Sequence, residues 1–141
     1  MPLEAGLTGE VIHTVVETDT AAAYGSGLVR VLSTPHLIAL MENAAQKVIE
    51  PFLEAGQTAV GTLVEMQHLA ATPVGMQVTV RARLLVVEKR RLRFSVEAWD
   101  EKEPIGSCIH ERVIIDRARF MERVAQKQQE APGKEGNSAA R

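Results

Sequence analysis

The chain has little of what would assign it to several classes of protein. Among its 141 residues is one cysteine, Cys108, so an internal disulfide and a C-x-x-C metal pair are both excluded. No apolar run reaches the roughly 18 residues of a membrane span. Residues 1–13 also lack the charged and apolar regions of a signal peptide. We therefore expect a cytoplasmic protein with no membrane partner.

An excess of charge of one sign is lacking as well. The formal net charge is −2, and no basic stripe suggests a nucleic-acid partner. The basic run Lys89-Arg90-Arg91 with Arg93 is typical of a solvated hairpin end. The alternative is that it contacts the phosphates of a nucleotide-bearing substrate. The sequence contains no G-x-S-x-G, Walker A or H-E-x-x-H motif, so three common catalytic and phosphate-binding devices are excluded.

What the chain has in quantity is apolar sequence with clear periodicity. Hydrophobic residues make up 45% of it, which suits one folded domain with a real core. We expect this single domain to span residues 1–127. The polar residues 128–141, rich in Gly and Ala, are expected to form a disordered tail.

One long helix is predicted to begin at Thr34-Pro35 and to stop near Gly56. Proline is favoured at the first helical position, and Thr34 can serve as the N-cap. Pro51 should end the regular helix a turn earlier or kink it. One side of the helix is continuously apolar. That side carries Leu37, Leu40, Met41, Ala44, Ala45, Val48 and Phe52.

Most of the remaining chain alternates with the period of β-strands. Long strands joined by short turns indicate an antiparallel meander. The predicted strands are residues 9–19, 59–70, 76–88, 92–98 and 105–116. The fold class is therefore α+β: one long central helix wrapped by a curved antiparallel sheet of about five strands, the hotdog fold. Because this layout leaves sheet edges uncovered, we expect a homodimer or a higher even oligomer.

A carboxylate, Glu42, interrupts the apolar part of the predicted helix. A buried carboxylate costs several kcal/mol unless it is paired or hydrogen-bonded, so Glu42 is a candidate general base or nucleophile. The alternative is that Glu42 lies on an exposed stripe with Asn43, Gln46 and Glu50. Periodicity does not decide between the two interpretations.

Thr34 and His68 are the other candidates for chemistry. Thr34 is either an ordinary cap or a hydroxyl that holds a substrate oxygen beside free backbone N–H groups. His68 precedes the predicted turn at Ala70–Gly75, and sites tend to gather at such strand ends. Together with Glu42 these residues could form a general acid–base set. Along a straight helix, however, Thr34 and Glu42 would be about 12 Å apart. If they cooperate, either the helix starts later than Pro35, or the two groups meet through substrate or across a dimer interface.

From residue 11 to residue 116 the chain resembles the hotdog thioesterases, and more narrowly the fluoroacetyl-CoA thioesterase-like family. The resemblance rests on Leu32-Ser33-Thr34-Pro35, Leu40-Met41-Glu42-Asn43-Ala44-Ala45, Gly61-Thr62, Val64-Glu65-Met66-Gln67-His68, Thr72-Pro73-Val74-Gly75 and His110-Glu111-Arg112. It implies that Thr34, Glu42 and His68 are catalytic. Gly61 and Arg112 match substrate-binding positions.

The resemblance implies hydrolysis of an acyl-CoA thioester to the free acid and CoA. No metal or bound cofactor is implied, because CoA is part of the substrate. The fluoroacetyl-specific enzyme carries an aromatic lid, whereas residues 21–28 offer only Tyr24. We therefore expect a short or medium acyl-CoA as substrate and Tyr24 as a substrate-binding residue.

Two alternatives to hydrolysis stay open. One is a non-catalytic hotdog domain that binds an acyl-CoA or another small apolar ligand. The other is a hotdog hydratase or dehydratase, a class that relies on a His/Asp arrangement. No such pair is visible near the predicted helix start.

Overall fold

The computed structural model describes residues 2–130 of the chain. Its strands are β1 (Thr8–Thr14), β2 (Gln57–His68), β3 (Gln77–Glu88), β4 (Arg91–Trp99) and β5 (Pro104–Asp116). Its helices are α1 (Ala21–Tyr24), α2 (Thr34–Ile49) and α3 (Arg117–Glu130), with 3₁₀ turns at Glu17–Asp19 and Glu50–Phe52. The predicted α+β hotdog arrangement is confirmed, since one long helix packs against a five-stranded antiparallel sheet.

The order of strands in the sheet differs from a simple meander. It is β1-β3-β4-β5-β2, and each neighbouring pair is antiparallel. Only β3, β4 and β5 follow one another as a meander. β2 crosses to the far edge and pairs with β5, although a short turn at 72–75 separates it from β3 in sequence. The meander prediction was wrong for β2 because turn length does not fix which strands pair.

Helix α2 begins one residue earlier than its sequence suggests. Ser33 is the N-cap: its side chain accepts a hydrogen bond from the backbone N–H of His36. Thr34 is therefore the first helical residue and not the cap, which leaves its hydroxyl free for another partner. The helix ends at Ile49, and Pro51 lies in the 3₁₀ turn that follows, as the position of the proline predicts.

The core lies between α2 and the inner face of the sheet. The apolar side of the helix is buried against β1, β3 and β4. Cys108 on β5 belongs to this core, and burial, with the nearby Glu42 charge adding to it, raises the pKa of its thiol to about 11. The next two inward positions of β5 are occupied by polar residues, His110 and Arg112, which are also buried. A polar strand face therefore lies opposite part of an apolar helix.

The segments outside the sheet also show where sequence patterns fall short. The region after β1, for which no helix was predicted, contains the short helix α1, while α3 continues to Glu130, past the expected boundary at residue 127. The rest of the predicted disordered tail, residues 131–141, lies outside the described residues. Within residues 2–130, no helix has the length and apolarity to cross a membrane. A cytoplasmic location remains a prediction.

Candidate active site

Two of the predicted catalytic residues meet at the start of α2. The hydroxyl of Thr34 lies 2.8 Å from Nδ1 of His68, which is the last residue of β2. The freedom of the Thr34 hydroxyl follows from the capping role of Ser33. We call Thr34 and His68 the hydroxyl half-site. It lies in an open cleft of about 380 Å³ that Leu69 and Ala71 also line.

His68 is held in a state that suits proton transfer. Partial burial lowers the pKa of its imidazole. The ring is therefore neutral at pH 7. A neutral ring can either accept the Thr34 proton at Nδ1 or donate a hydrogen to the Thr34 oxygen, depending on its tautomer.

The third predicted catalytic residue, Glu42, lies further along α2 among different partners. Its carboxylate is 3.9 Å from Nη1 of Arg112, and 41% of its side chain is exposed. Gly61 of β2 lies against the same carboxylate: a Cβ at this position would be 2.8 Å from Glu42 Oε2. We call Glu42, Gly61 and Arg112 the carboxylate half-site. Glu42 is thus neither deeply buried nor on a free polar stripe.

Arg112 is fixed by a set of buried hydrogen bonds. Its Nη2 donates to the side chain of Gln46 at 3.1 Å and to the backbone carbonyl of Ala59 at 2.8 Å. Its Nη1 lies 3.2 Å from Nε2 of His110. Because a guanidinium cannot accept a hydrogen bond, His110 must accept through Nε2 and donate from Nδ1 to the carbonyl of Leu63, 2.8 Å away.

His110 is therefore a neutral support for the arginine, and burial lowers the pKa of its ring. In the sequence, His110 appeared only as part of the segment His110-Glu111-Arg112 and was given no role at the site. The available signal was the spacing of His110 and Arg112, two positions apart on one face of a strand. That signal becomes informative only when the strand is known to face the helix.

The two half-sites do not meet within one protomer. Thr34 and Glu42 are eight residues apart on α2, or about 12 Å of helix rise. Gly61 and His68 are seven residues apart on β2, or about 23 Å of extended strand. The sixth predicted residue, Tyr24, touches neither half-site through a hydrogen bond of its own. Its hydroxyl lies 2.9 Å from Nδ1 of His36.

Comparison with known proteins decides the family. A model of the fluoroacetyl-CoA-specific thioesterase family matches residues 15–118, which is most of the chain. The chain belongs to this family. A fluoroacetyl-CoA thioesterase from Streptantibioticus cattleyicolor is 43% identical over 97 residues, which are 69% of this chain and 70% of that protein.

Solved structures of thioesterases have the same fold as this chain. A structure of the fluoroacetyl-CoA thioesterase is similar with a TM-score of 0.86 and 34% identity, covering 90% of this chain and 98% of that one. A thioesterase superfamily member from Thermus thermophilus has a TM-score of 0.82 and 34% identity, covering 92% and 98%. The chain is thus a hotdog-fold thioester hydrolase that acts on acyl-CoA, as the sequence resemblance implied.

Proposed function

We propose that this thioesterase hydrolyses a short or medium acyl-CoA with Thr34, Glu42 and His68 as its catalytic residues. The observation that carries the proposal is the 2.8 Å contact between Thr34 and His68, made by a hydroxyl that the helix does not need for capping. Attack on a carbonyl requires a base and a hydrogen-bond donor for the carbonyl oxygen. Glu42 can supply the base, and Thr34 with His68 can supply the donor.

Each residue has a separate task in the proposed reaction. Glu42 takes a proton from water, and the water oxygen bonds to the thioester carbonyl carbon. Thr34, with His68 donating to its oxygen, donates a hydrogen bond to the carbonyl oxygen as negative charge develops there. The C–S bond then breaks, and the CoA sulfur receives the proton from Glu42. The products are the free acid and CoA, and no cofactor is needed.

Arg112 and Gly61 have supporting tasks in this proposal. Arg112 attracts the ionised carboxylate of Glu42, and its own position is fixed by the buried bonds described above. Gly61 leaves room for that carboxylate beside the backbone of β2. Tyr24, predicted to bind substrate, would act at the rim of the cleft, because 47% of it is exposed.

Assembly of two protomers would bring the half-sites together. The outer edge of β2 has no partner strand among the described residues. If two β2 edges pair antiparallel about an axis between residues 64 and 65, His68 faces the partner's Gly61. The hydroxyl half-site of one protomer would then lie beside the partner's carboxylate half-site. We therefore propose a homodimer with two shared sites.

The proposed substrate has a short or medium acyl chain. Solved structures of two mutants of the fluoroacetyl-CoA thioesterase contain fluoroacetate with CoA and acetyl-CoA, so those proteins hold two-carbon acyl groups. In this chain Tyr24 is the one aromatic residue of segment 21–28. Selectivity for fluoroacetyl is not part of the proposal, because a single exposed aromatic side chain is a poor acyl lid.

Thiol release from acyl-CoAs of two to ten carbons tests the proposal. We expect the wild type to prefer the shorter chains and Glu42→Gln to lose about 10²–10⁴-fold in kcat, as for an acid–base residue. Asn43→Asp, an exposed neighbour on α2, is the matched control and should retain activity. A loss below threefold in a folded Glu42→Gln protein would exclude the role of Glu42. Binding without turnover in the wild type would favour the non-catalytic alternative.

A further inference from the structure

Three side chains that take no part in the proposed reaction converge beside the start of α2. His13 Nε2 lies 2.7 Å from Asp19 Oδ2, and His36 Nε2 lies 3.2 Å from Asp19 Oδ1. The three residues come from β1, from the 3₁₀ turn after it and from α2, so nothing in their sequence spacing reveals the cluster. A His/Asp group does therefore exist near the helix start, contrary to the sequence interpretation.

We propose that His13, Asp19 and His36 form a binding site for one zinc-type divalent cation. Two imidazole nitrogens and one carboxylate oxygen, without a thiolate, are ligands that suit Zn²⁺, Co²⁺ and Ni²⁺. The three ligand atoms all lie within 4.8 Å of one another. Ligands of a tetrahedral zinc lie about 3.3 Å apart, so small side-chain movements are enough to admit the ion.

The burial of the three residues matches a three-ligand site with one open position. The Asp19 side chain is 5% exposed, whereas those of His13 and His36 are 30% and 21% exposed. A water molecule can therefore complete a tetrahedral shell from the solvent side. The site differs from a structural Cys₄ or Cys₂His₂ zinc centre, which is closed by four protein ligands.

Neighbouring groups already orient the proposed ligands. The Tyr24 hydroxyl lies 2.9 Å from Nδ1 of His36, which directs Nε2 toward Asp19. The backbone N–H of Val16 donates to Asp19 Oδ2 at 2.9 Å and fixes the carboxylate. Partners of this kind, bonded to the far side of a metal ligand, set its tautomer and its direction. They give Tyr24 a role that does not depend on substrate binding.

The consequence of metal binding would be structural. An ion at this site links β1, the Glu17–Asp19 turn and the first turn of α2, two residues from Thr34. No step of the proposed hydrolysis passes through it, so the expectation that the reaction needs no metal is unchanged. What the ion would supply is a fixed position for the helix start and for segment 21–24.

Calorimetric titration of the untagged, chelator-treated protein with ZnCl₂ tests the site. We expect one ion per protomer, a tetrahedral Co²⁺ absorption spectrum, and a rise in Tm of about 5–10 °C at a hundredfold excess over Kd. Asp19→Asn and His36→Gln should weaken binding by at least about tenfold. The controls are Glu17→Gln, a neighbouring carboxylate paired with Arg30, and His68→Gln, outside the cluster; both should bind zinc normally.

A measurement on the wild type avoids dependence on variants that fail to fold. The chain has four histidines, so their ring nitrogen NMR signals can be assigned and followed during the titration. The signals of His13 and His36 should change, and those of His68 and His110 should not. No saturable binding below about 100 µM Zn²⁺, or changes confined to the other two rings, would overturn the proposal. The cluster would then be a hydrogen-bonded link only.

Discussion

At the scale of single residues, Glu42 can sit in an apolar helix because its partner comes from another element. Its sequence neighbours supply no cation, whereas Arg112 reaches it from β5. Arg112 in turn depends on the buried His110, whose tautomer is fixed by the Leu63 carbonyl. The carboxylate of Glu42, unexpected in an apolar helix, is thus paired with the guanidinium of Arg112, which is equally unexpected on the inward face of a strand.

The neutral state of His68 predicts the pH dependence of hydrolysis. Burial lowers the pKa of His68 below the ordinary 6.5, so the neutral ring persists at mildly acidic pH. Protonation at lower pH would put a charged N–H at the buried Nε2, which has no hydrogen-bond partner among the described residues, and would disturb the bond from Nδ1 to the Thr34 oxygen. We therefore expect kcat/KM to be level from pH 8 to pH 6.5 and to fall only below pH 6.5. This fall at acidic pH should be absent from the pH profile of His68→Gln. A profile that already falls between pH 8 and pH 7 would contradict this assignment.

Gly61 should affect activity more than stability. In Gly61→Ala the new Cβ would lie 2.8 Å from Glu42 Oε2 and 3.2 Å from Cε1 of His110. The shorter contact is with the mobile end of a side chain, so the carboxylate would move aside, while the His110 ring would have to shift by only a few tenths of an ångström. A displaced base of this kind costs about 10–100-fold in kcat/KM, with little change in Tm. Adding Gly61→Ala to Glu42→Gln should then cost little more. Equal losses in both backgrounds would mean that Gly61 acts independently of Glu42.

At the scale of elements, local signals predicted the helix and strands well and their arrangement poorly. Thr34-Pro35 and Pro51 marked the ends of α2 to within a few residues, because caps and prolines act locally. Strand order depends on pairing between distant segments, so the place of β2 beside β5 could not be read from the sequence. The same limit applies to the site: the contact between Thr34 and His68 spans 34 positions and was suggested by the family resemblance.

A close approach between the backbones of β1 and α2 gives a prediction about packing. A Cβ on Gly9 of β1 would lie 2.9 Å from the backbone oxygen of Ala44 and 3.0 Å from the backbone nitrogen of Val48. Backbone atoms cannot move aside cheaply, so Gly9→Ala should lower the free energy of unfolding by about 1–3 kcal/mol. Urea denaturation at a fixed protein concentration measures this.

The matched control for Gly9→Ala is Gly27→Ala. A Cβ on Gly27 would meet only the Cβ of Ala21, at an ordinary 3.7 Å. Its free energy of unfolding should change by less than about 0.5 kcal/mol. Similar losses in the two variants would mean that removing a glycine, and not the tight contact with α2, is what costs stability.

At the scale of the whole molecule, the exposed edge of β2 predicts the assembly. Light scattering at micromolar concentration should give twice the protomer mass of 15.4 kDa, or a higher even multiple. Leu63→Lys places a charge on this edge, where Leu63 is 37% exposed in the isolated protomer, and should shift the mass toward that of the monomer. An active monomeric wild type would exclude shared sites.

The separation of the two half-sites along α2 and β2 also has a genetic consequence. If each site takes Thr34 from one protomer and Glu42 from the partner, two inactive variants can rescue each other. In a mixed dimer, one protomer carries Thr34→Ala and its partner carries Glu42→Gln. Both substitutions then fall in one of the two sites, and the other site keeps both native residues. Such a dimer would work at about half the wild-type rate, so two defective copies of the gene would complement in one cell.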